Sequence, residues 1–225
     1  MPRRAVLACG LAALLAAGFW VRPGMARAAD ACQGDLTERI QASYQALRSF
    51  EGRFEQEDRQ IDGEAVRAGG KVAYLKPGRM RWAYEPPNEQ LLVTDGESVW
   101  LYDPILDNVT IQPLAELTQG TPLAFLLGAG NLKADFACRP LSRLPPEDGL
   151  TYVELVPRKP IPALAFIQLG ARPRDARIAS LRMVDTQGNL RWVRFLDLRT
   201  DVTLAPAMFS FQVQEGMEVI TKSNR

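Results

Sequence analysis

From Asp35 the chain shows one helical stripe and then a long series of alternating segments. Asp35 can cap a helix with Glu38 three residues on, and Leu36, Ile40, Tyr44 and Leu47 fall on one face of it. From Ser49 the period changes to two. Phe50, Gly52 and Phe54 share a face, as do Val72 and Tyr74, and Met80, Trp82 and Tyr84 alternate with Arg79, Arg81 and Ala83. Turn residues separate these runs: Pro77-Gly78, Glu85-Pro86-Pro87-Asn88, and Asp95-Gly96 between the arms of a hairpin formed by Gln90–Thr94 and Ser98–Tyr102. The second half has the same grammar over 132–141, 150–156, 164–169, 177–184, 190–198 and 209–213, with a turn at Gln187-Gly188. About ten strands at hairpin spacing predict a large curled antiparallel sheet or barrel. One segment departs from the pattern. Thr121-Pro122 followed by Leu123 to Leu127 and Gly128 carries the start and stop signals of a short helix that is apolar almost all round, which suits core filling or a cover over something apolar.

The N-terminus changes the picture of where the protein works. Arg3 and Arg4, an apolar run from Ala5 to Val21 and the small-residue site Ala26-Arg27-Ala28 read as a secretory signal, so that residues 1–28 are a signal peptide and 29–225 a single domain. An uncleaved anchor is the alternative, at the lower edge of spanning length. Acylation at Cys9 is disfavoured, because too few apolar residues precede it. Cleavage would remove four arginines and leave a net charge of about −3. A mildly acidic protein lacks the basic footprint of a nucleic-acid binder. The densest basic stretch, Arg172 to Arg199, is read chiefly as the solvated face of strands, a partner-docking surface being the minority reading.

Cysteine usage adds one constraint. Cys9 leaves with the signal, and an oxidising compartment favours a bridge between Cys32 and Cys138, the alternative being two separate thiols. The loop closed would be worth up to about 4–5 kcal/mol in the chain-entropy account.

Catalytic chemistry is thin. The chain contains no histidine, which removes imzidazole-based nucleophilic and acid–base sites and most zinc sites. No nucleophile elbow, P-loop or dinucleotide fingerprint appears. Glu55, Glu57 and Asp58 could offer a carboxylate pair, but beside Arg53 and Arg59 they read more simply as a solvated edge. No catalytic residue, metal site or cofactor is expected.

The run from Gly70 through Lys76-Pro77-Gly78-Arg79-Met80-Arg81-Trp82-Ala83-Tyr84 to Pro87 resembles the bacterial outer-membrane lipoprotein carrier family, LolA. The similarity continues through Gln90 to Pro104, resumes at Thr121-Pro122-Leu123 with Leu126-Leu127, and returns at Met208-Phe209-Ser210-Phe211 and Glu215 to Ile220. No single match is specific; their order along the chain is. The resemblance implies a mainly β (α+β) fold, an incomplete, curled antiparallel β-barrel with an N-terminal helix and short helices forming a lid over an apolar cavity. It also implies a monomeric periplasmic carrier that takes acylated lipoproteins from an ATP-driven inner-membrane transporter and hands them to an outer-membrane receptor.

On this reading Phe50, Phe54, Tyr74, Met80, Trp82, Leu91, Val93 and Trp100 are the acyl-chain cavity candidates, and Leu123, Phe125 and Leu126 the lid face. Two positions depart from the family pattern. Lys76 stands where members commonly have an arginine that ties sheet to lid, and Met80 where they often have phenylalanine. Lysine keeps the charge without the planar fork, so Lys76 is the sheet–lid latch candidate, for instance toward carbonyls at the end of the helix Pro122 to Leu127. Rival readings are the lipidated outer-membrane receptor, a lipid-sensing regulator, a carrier specialised for another lipid, and a hydrolase.

Overall fold

The computed structural model describes residues 35–222 except 88, 119–129, 143, 145–146 and 148. The signal segment, Cys32 and the lid candidates Leu123, Phe125 and Leu126 lie outside the described residues. Helix α1 spans Asp35–Ala46, and the strands are β1 Ser49–Arg59, β2 Ala65–Leu75, β3 Arg79–Tyr84, β4 Leu91–Asp95, β5 Ser98–Asp103 and β6 Asn108–Pro113. Two short helices, α2 Leu114–Thr118 and α3 Leu132–Asp135, precede β7 Phe136–Arg139, β8 Thr151–Pro157, β9 Phe166–Ala171, β10 Ile178–Val184, β11 Leu190–Thr200 and β12 Glu218–Thr221.

The strands form one sheet in the order β12-β6-β5-β4-β3-β2-β1-β11-β10-β9-β8-β7. Every neighbour pair is antiparallel except β12 with β6, which is parallel. The long pairing of β1 with β11 joins the two halves of the chain, and β7 and β12 are the edges, so the sheet curls without closing. The anticipated curled antiparallel sheet is therefore present, and the turns fall where the glycines allow them, with positive φ at Gly78, Gly96 and Gly188.

Two local expectations fail, and two strands were not foreseen. Residues 132–141 were expected as one strand, but the Asn131 side chain accepts from the backbone N–H groups of Lys133 and Ala134 and starts a helical turn, so β7 begins only at Phe136. Residues 209–213 were expected as a strand. Pro206 instead opens a 3-10 turn, Pro206–Phe209, and regular pairing resumes at β12. β6 and β12 were not anticipated at all.

The inner face of the sheet carries the core. α1 lays Leu36, Ile40, Tyr44 and Leu47 against it, and they form one buried cluster with Phe50, Phe54, Val72, Tyr74, Met80, Leu155, Ile167 and Leu169. Full burial of such side chains is worth about 1.5–3 kcal/mol each, so this cluster dominates the stability.

The outer face is covered in two places. The C-terminal segment after β11 crosses β2 to β5, where Leu204 and Phe209 cluster with Ala73 and Leu75, and Phe211 meets Tyr102 at a ring distance of 5.5 Å. On the other half, Glu154 and Gln168 are joined by a 2.7 Å hydrogen bond, and the buried Arg182 guanidinium lies between the rings of Tyr152 and Trp192, 5.1 and 4.7 Å from their centroids.

Candidate functional site

Cross-strand register decides which predicted site residues meet. Phe50 opposes Tyr74, and Tyr74 opposes Met80; Gly52 opposes Val72, and Val72 opposes Trp82. Phe50, Phe54, Tyr74, Met80 and Trp82 therefore share the inner face. They pack closely: the Phe54 ring is 4.5 Å from Trp82 and 5.0 Å from Tyr84, and Phe50 stacks on Tyr74 at 5.3 Å. All but Trp82 are buried, and Trp82 is half-buried with an indole Nε1 that finds no acceptor in hydrogen-bond geometry.

Leu91, Val93 and Trp100 go to the other side. Val93 opposes Arg81 and Trp100, and Leu91 opposes Ala83 and Tyr102, all on the outer face that the C-terminal segment crosses. The sequence could not make this distinction by alternation, since Leu91-Leu92-Val93 is apolar throughout. Both faces of β4 are covered, and a strand covered on both faces loses its period-2 signal.

The register brings forward residues that the sequence did not single out. Trp82 opposes Leu92, Leu92 opposes Leu101, Leu101 opposes Thr110, and Thr110 opposes Ile220 on the edge strand. This row continues the inner face outward from the packed aromatics to the rim. Leu101 is 42 % exposed and Ile220 37 % exposed, while Leu92 is half-buried, so apart from the half-buried Thr110 the row forms an open apolar shelf. Carrying the parity of Trp82 across two strands would have found Leu92 and Leu101.

Lys76 does reach a helix end, and the helix is α1. Its Nζ donates to the Gln45 carbonyl at 2.8 Å, in the last turn of α1, and its backbone N–H donates to the Arg48 carbonyl at 2.9 Å. That turn has no basic residue of its own, so Lys76 supplies the cation that unpaired C-terminal carbonyls favour. The helix Pro122 to Leu127, toward which Lys76 was expected to point, lies outside the described residues.

α1 is also tied to the far side of the 119–129 segment. Gln41 donates through Nε2 to the Gly130 carbonyl at 3.3 Å, and its Oε1 accepts from the Leu132 N–H at 2.8 Å. Lys133 pairs with Glu38, and Arg39 donates to the Pro173 carbonyl at 2.7 Å. These polar ties lie at or near the surface, and each is worth about 0.5–1.5 kcal/mol net. α1 is thus an apolar cover fixed by polar contacts that water can replace.

Cys138 lies on the inner side of β7, half-buried against the core cluster, and Cys32 is outside the described residues.

Among the described residues the titratable groups near the inner face are buried phenols, and the carboxylates considered for catalysis are ion-paired. Burial raises the Tyr74 phenol to about 12 and pushes Tyr44 higher still, so both stay neutral. Of the carboxylates considered for catalysis, Glu55 pairs with Arg194 at 2.8 Å and Asp58 with Arg191 at 2.7 Å. Glu57 is held below the usual carboxylate range by hydrogen bonds from Arg59 and Arg67, which outweigh its burial. Among the described residues no group of histidine, cysteine and carboxylate side chains could hold a metal ion.

Residues 45–212 match the family described as "Outer membrane lipoprotein carrier protein LolA". An outer-membrane lipoprotein carrier protein of Methylibium petroleiphilum is 31% identical over 196 residues, covering 87% of this chain and 94% of the relative. One from Bordetella pertussis is 31% identical over 194 residues, covering 86% and 90% respectively. Among solved structures, an uncharacterized conserved protein of Thermus thermophilus superposes with a TM-score of 0.53 at 13% identity, covering 84% of this chain and 98% of that one, a likeness of fold alone.

Proposed function

Because this chain belongs to the outer-membrane lipoprotein carrier family LolA, we propose that it shelters the acyl chains of lipoproteins on the inner face of its sheet and carries them across the periplasm. Residues 1–28 direct export and the mature chain works as a soluble monomer. It receives cargo from an ATP-driven transporter of the inner membrane and gives it to a receptor at the outer membrane.

The observation that carries this reading is the inner-face row from Trp82 through Leu92 and Leu101 to Ile220. A mostly apolar path, interrupted by Thr110 next to the rim, leads from the open edge to a packed aromatic interior. Each methylene taken from water is worth about 0.8 kcal/mol, so a sixteen-carbon chain laid along such a path gains roughly 10 kcal/mol even if only part of it is covered. The interior is filled by the protein's own side chains, so cargo must displace α1 or its neighbours to go deeper. The polar ties of α1, at about 1 kcal/mol each, are weak beside that gain.

The test is mass spectrometry of the protein purified from periplasm without detergent, together with photo-crosslinking from a benzoylphenylalanine placed at Leu101. Co-purifying acylated protein, crosslinked through its lipid, is the expected result. A crosslink to a different lipid class would reassign the cargo, and no lipid adduct under loading conditions would refute inner-face binding.

A further inference from the structure

The outer face of β1 to β3 carries a basic groove that cargo binding on the inner face does not use. Two adjacent rows cross these strands there, Arg53–Lys71–Ala83 and Glu51–Ala73–Arg81. With Met208 of the C-terminal segment as a wall, they bound a groove of about 520 Å³ whose floor includes Ala73 and Ala83. The rim also holds Arg199 and Asp197. Glu51 is engaged by Arg199 at 2.7 Å, and Arg53 lies 3.7 Å from Glu85. Among the described residues neither Lys71 nor Arg81 has a carboxylate partner; Arg81 donates through Nη1 to the Met208 carbonyl at 3.3 Å.

Arg53 and Lys71 stand directly opposite each other across β1 and β2. Like charges directly opposite each other destabilise a sheet, and of this pair only Arg53 has a carboxylate beside it, that of Glu85 at 3.7 Å. The alanines beside them leave a narrow apolar trough, and Arg81 is recessed at its edge, half-buried. Lys71 is exposed and Arg81 is not, so a flat bilayer surface would reach the first and not the second, whereas a protruding chain can enter the groove and reach both.

We infer that this groove docks an extended acidic segment of a partner protein, with Lys71 and Arg81 taking its carboxylates and the half-buried Ala83 on the floor taking a small apolar side chain between them. The inference deepens the carrier reading, on which it rests for its role: a partner holding the outer face leaves the inner face free to open. Docking of this kind is electrostatically steered and weakens with salt.

The experiment measures fluorescence polarisation of a short fluorescein-labelled peptide alternating glutamate and alanine, titrated with cargo-free protein at low and high salt. The expected result is saturable, salt-sensitive binding that Lys71→Glu/Arg81→Glu weakens at least about tenfold and Lys159→Glu, on an exposed connection, leaves unchanged. A lysine–alanine peptide should not bind. Should the charge-reversed protein misfold by circular dichroism, Lys71→Gln/Arg81→Gln carries the test with a smaller loss. Parent-level peptide binding by the double variants overturns the inference, as does binding of phosphatidylglycerol vesicles through Lys71 and Arg81 without peptide binding, which would make the face a membrane contact. Acyl loading of the same variants is read separately. Loading at the parent level with lost peptide binding supports docking, whereas failed loading by the parent protein would count against the carrier reading alone.

Discussion

Replacing Leu101 with glutamate places a charge on the proposed cargo path without placing it in the core. Leu101 is 42 % exposed on the inner face of β5, between Leu92 and Thr110, so the new carboxylate keeps water in the cargo-free protein. Trp82 is a poorer site for this test, because its ring lies 4.5 Å from Phe54 and 5.9 Å from Phe195 and a charge there would disrupt the fold itself. At Leu101 the cost to folding should stay within about 1 kcal/mol. The cost to cargo is larger. If the side chain covers some four methylenes of an acyl chain, losing that contact removes about 3 kcal/mol, which is roughly a hundredfold in affinity. The assay is equilibrium binding of a dansylated fatty acid, repeated with a purified acylated lipoprotein, alongside urea unfolding. Ile61→Glu, at a residue 69 % exposed on the β1–β2 turn, is the control and should bind as the parent does. Undiminished binding by Leu101→Glu, or an equal loss in the control, would remove the shelf from the cargo path.

Lys76→Leu removes the Nζ contact to the Gln45 carbonyl and should loosen α1 by about 1 kcal/mol, seen as a roughly fivefold loss of hydrogen-exchange protection in α1 while β1 and β11 are unaffected. Lys76→Arg should retain protection, and unaltered α1 exchange in the leucine variant would deny the residue a latch role. Glu154 is fully buried, which alone would raise its pKa, yet hydrogen bonds from Gln168, Ser142 and Arg139 hold it below the usual carboxylate range. A depressed folded-state pKa contributes stability that is present above the unfolded value and lost as pH falls through the folded one. Glu154→Gln should therefore cost about 1–3 kcal/mol at neutral pH and flatten the acid limb of a urea-midpoint profile; parallel profiles would contradict the assignment. Gly70→Ala would put a Cβ 2.0 Å from the Ala83 carbonyl oxygen, a backbone atom that cannot step aside, so a loss of about 3 kcal/mol is expected in urea unfolding. A loss below about 1 kcal/mol would mean the strands separate there at little cost.

Legibility along the chain followed burial geometry. α1 was readable because only one of its faces packs, and β1 to β3 because their inner residues are aromatic while their outer ones are mostly charged or small. In β4 and β5 the C-terminal segment covers the outer face, so Leu91, Val93 and Trp100 looked like cavity residues although Leu92 and Leu101 face inward. β12 escaped notice because a four-residue edge strand, exposed throughout, has no alternation to display. Lys76 was recognisable as a latch candidate by its place in the family pattern, but the partner carbonyl lies thirty-one residues earlier in the chain, a proximity no local pattern encodes.

The same geometry bears on how a carrier can both hold and release. α1 contributes four buried side chains, Leu36, Ile40, Tyr44 and Leu47 with the adjoining turn, and their burial is worth roughly 6–12 kcal/mol in sum. On the proposed binding mode, one acyl chain entering in their place would recover about 10 kcal/mol, so the exchange of internal helix for external lipid would lie near balance. A deep preformed cavity would have no such counterweight and would hold its cargo against any receptor. A cover that competes with the cargo for one apolar face lets small differences between successive partners set the direction of transfer. On the same proposal the contacts that would trim this balance are the exchangeable ones, Lys76 at one end of α1 and Gln41 near its middle, so their substitution should alter opening more than it alters the sheet beneath.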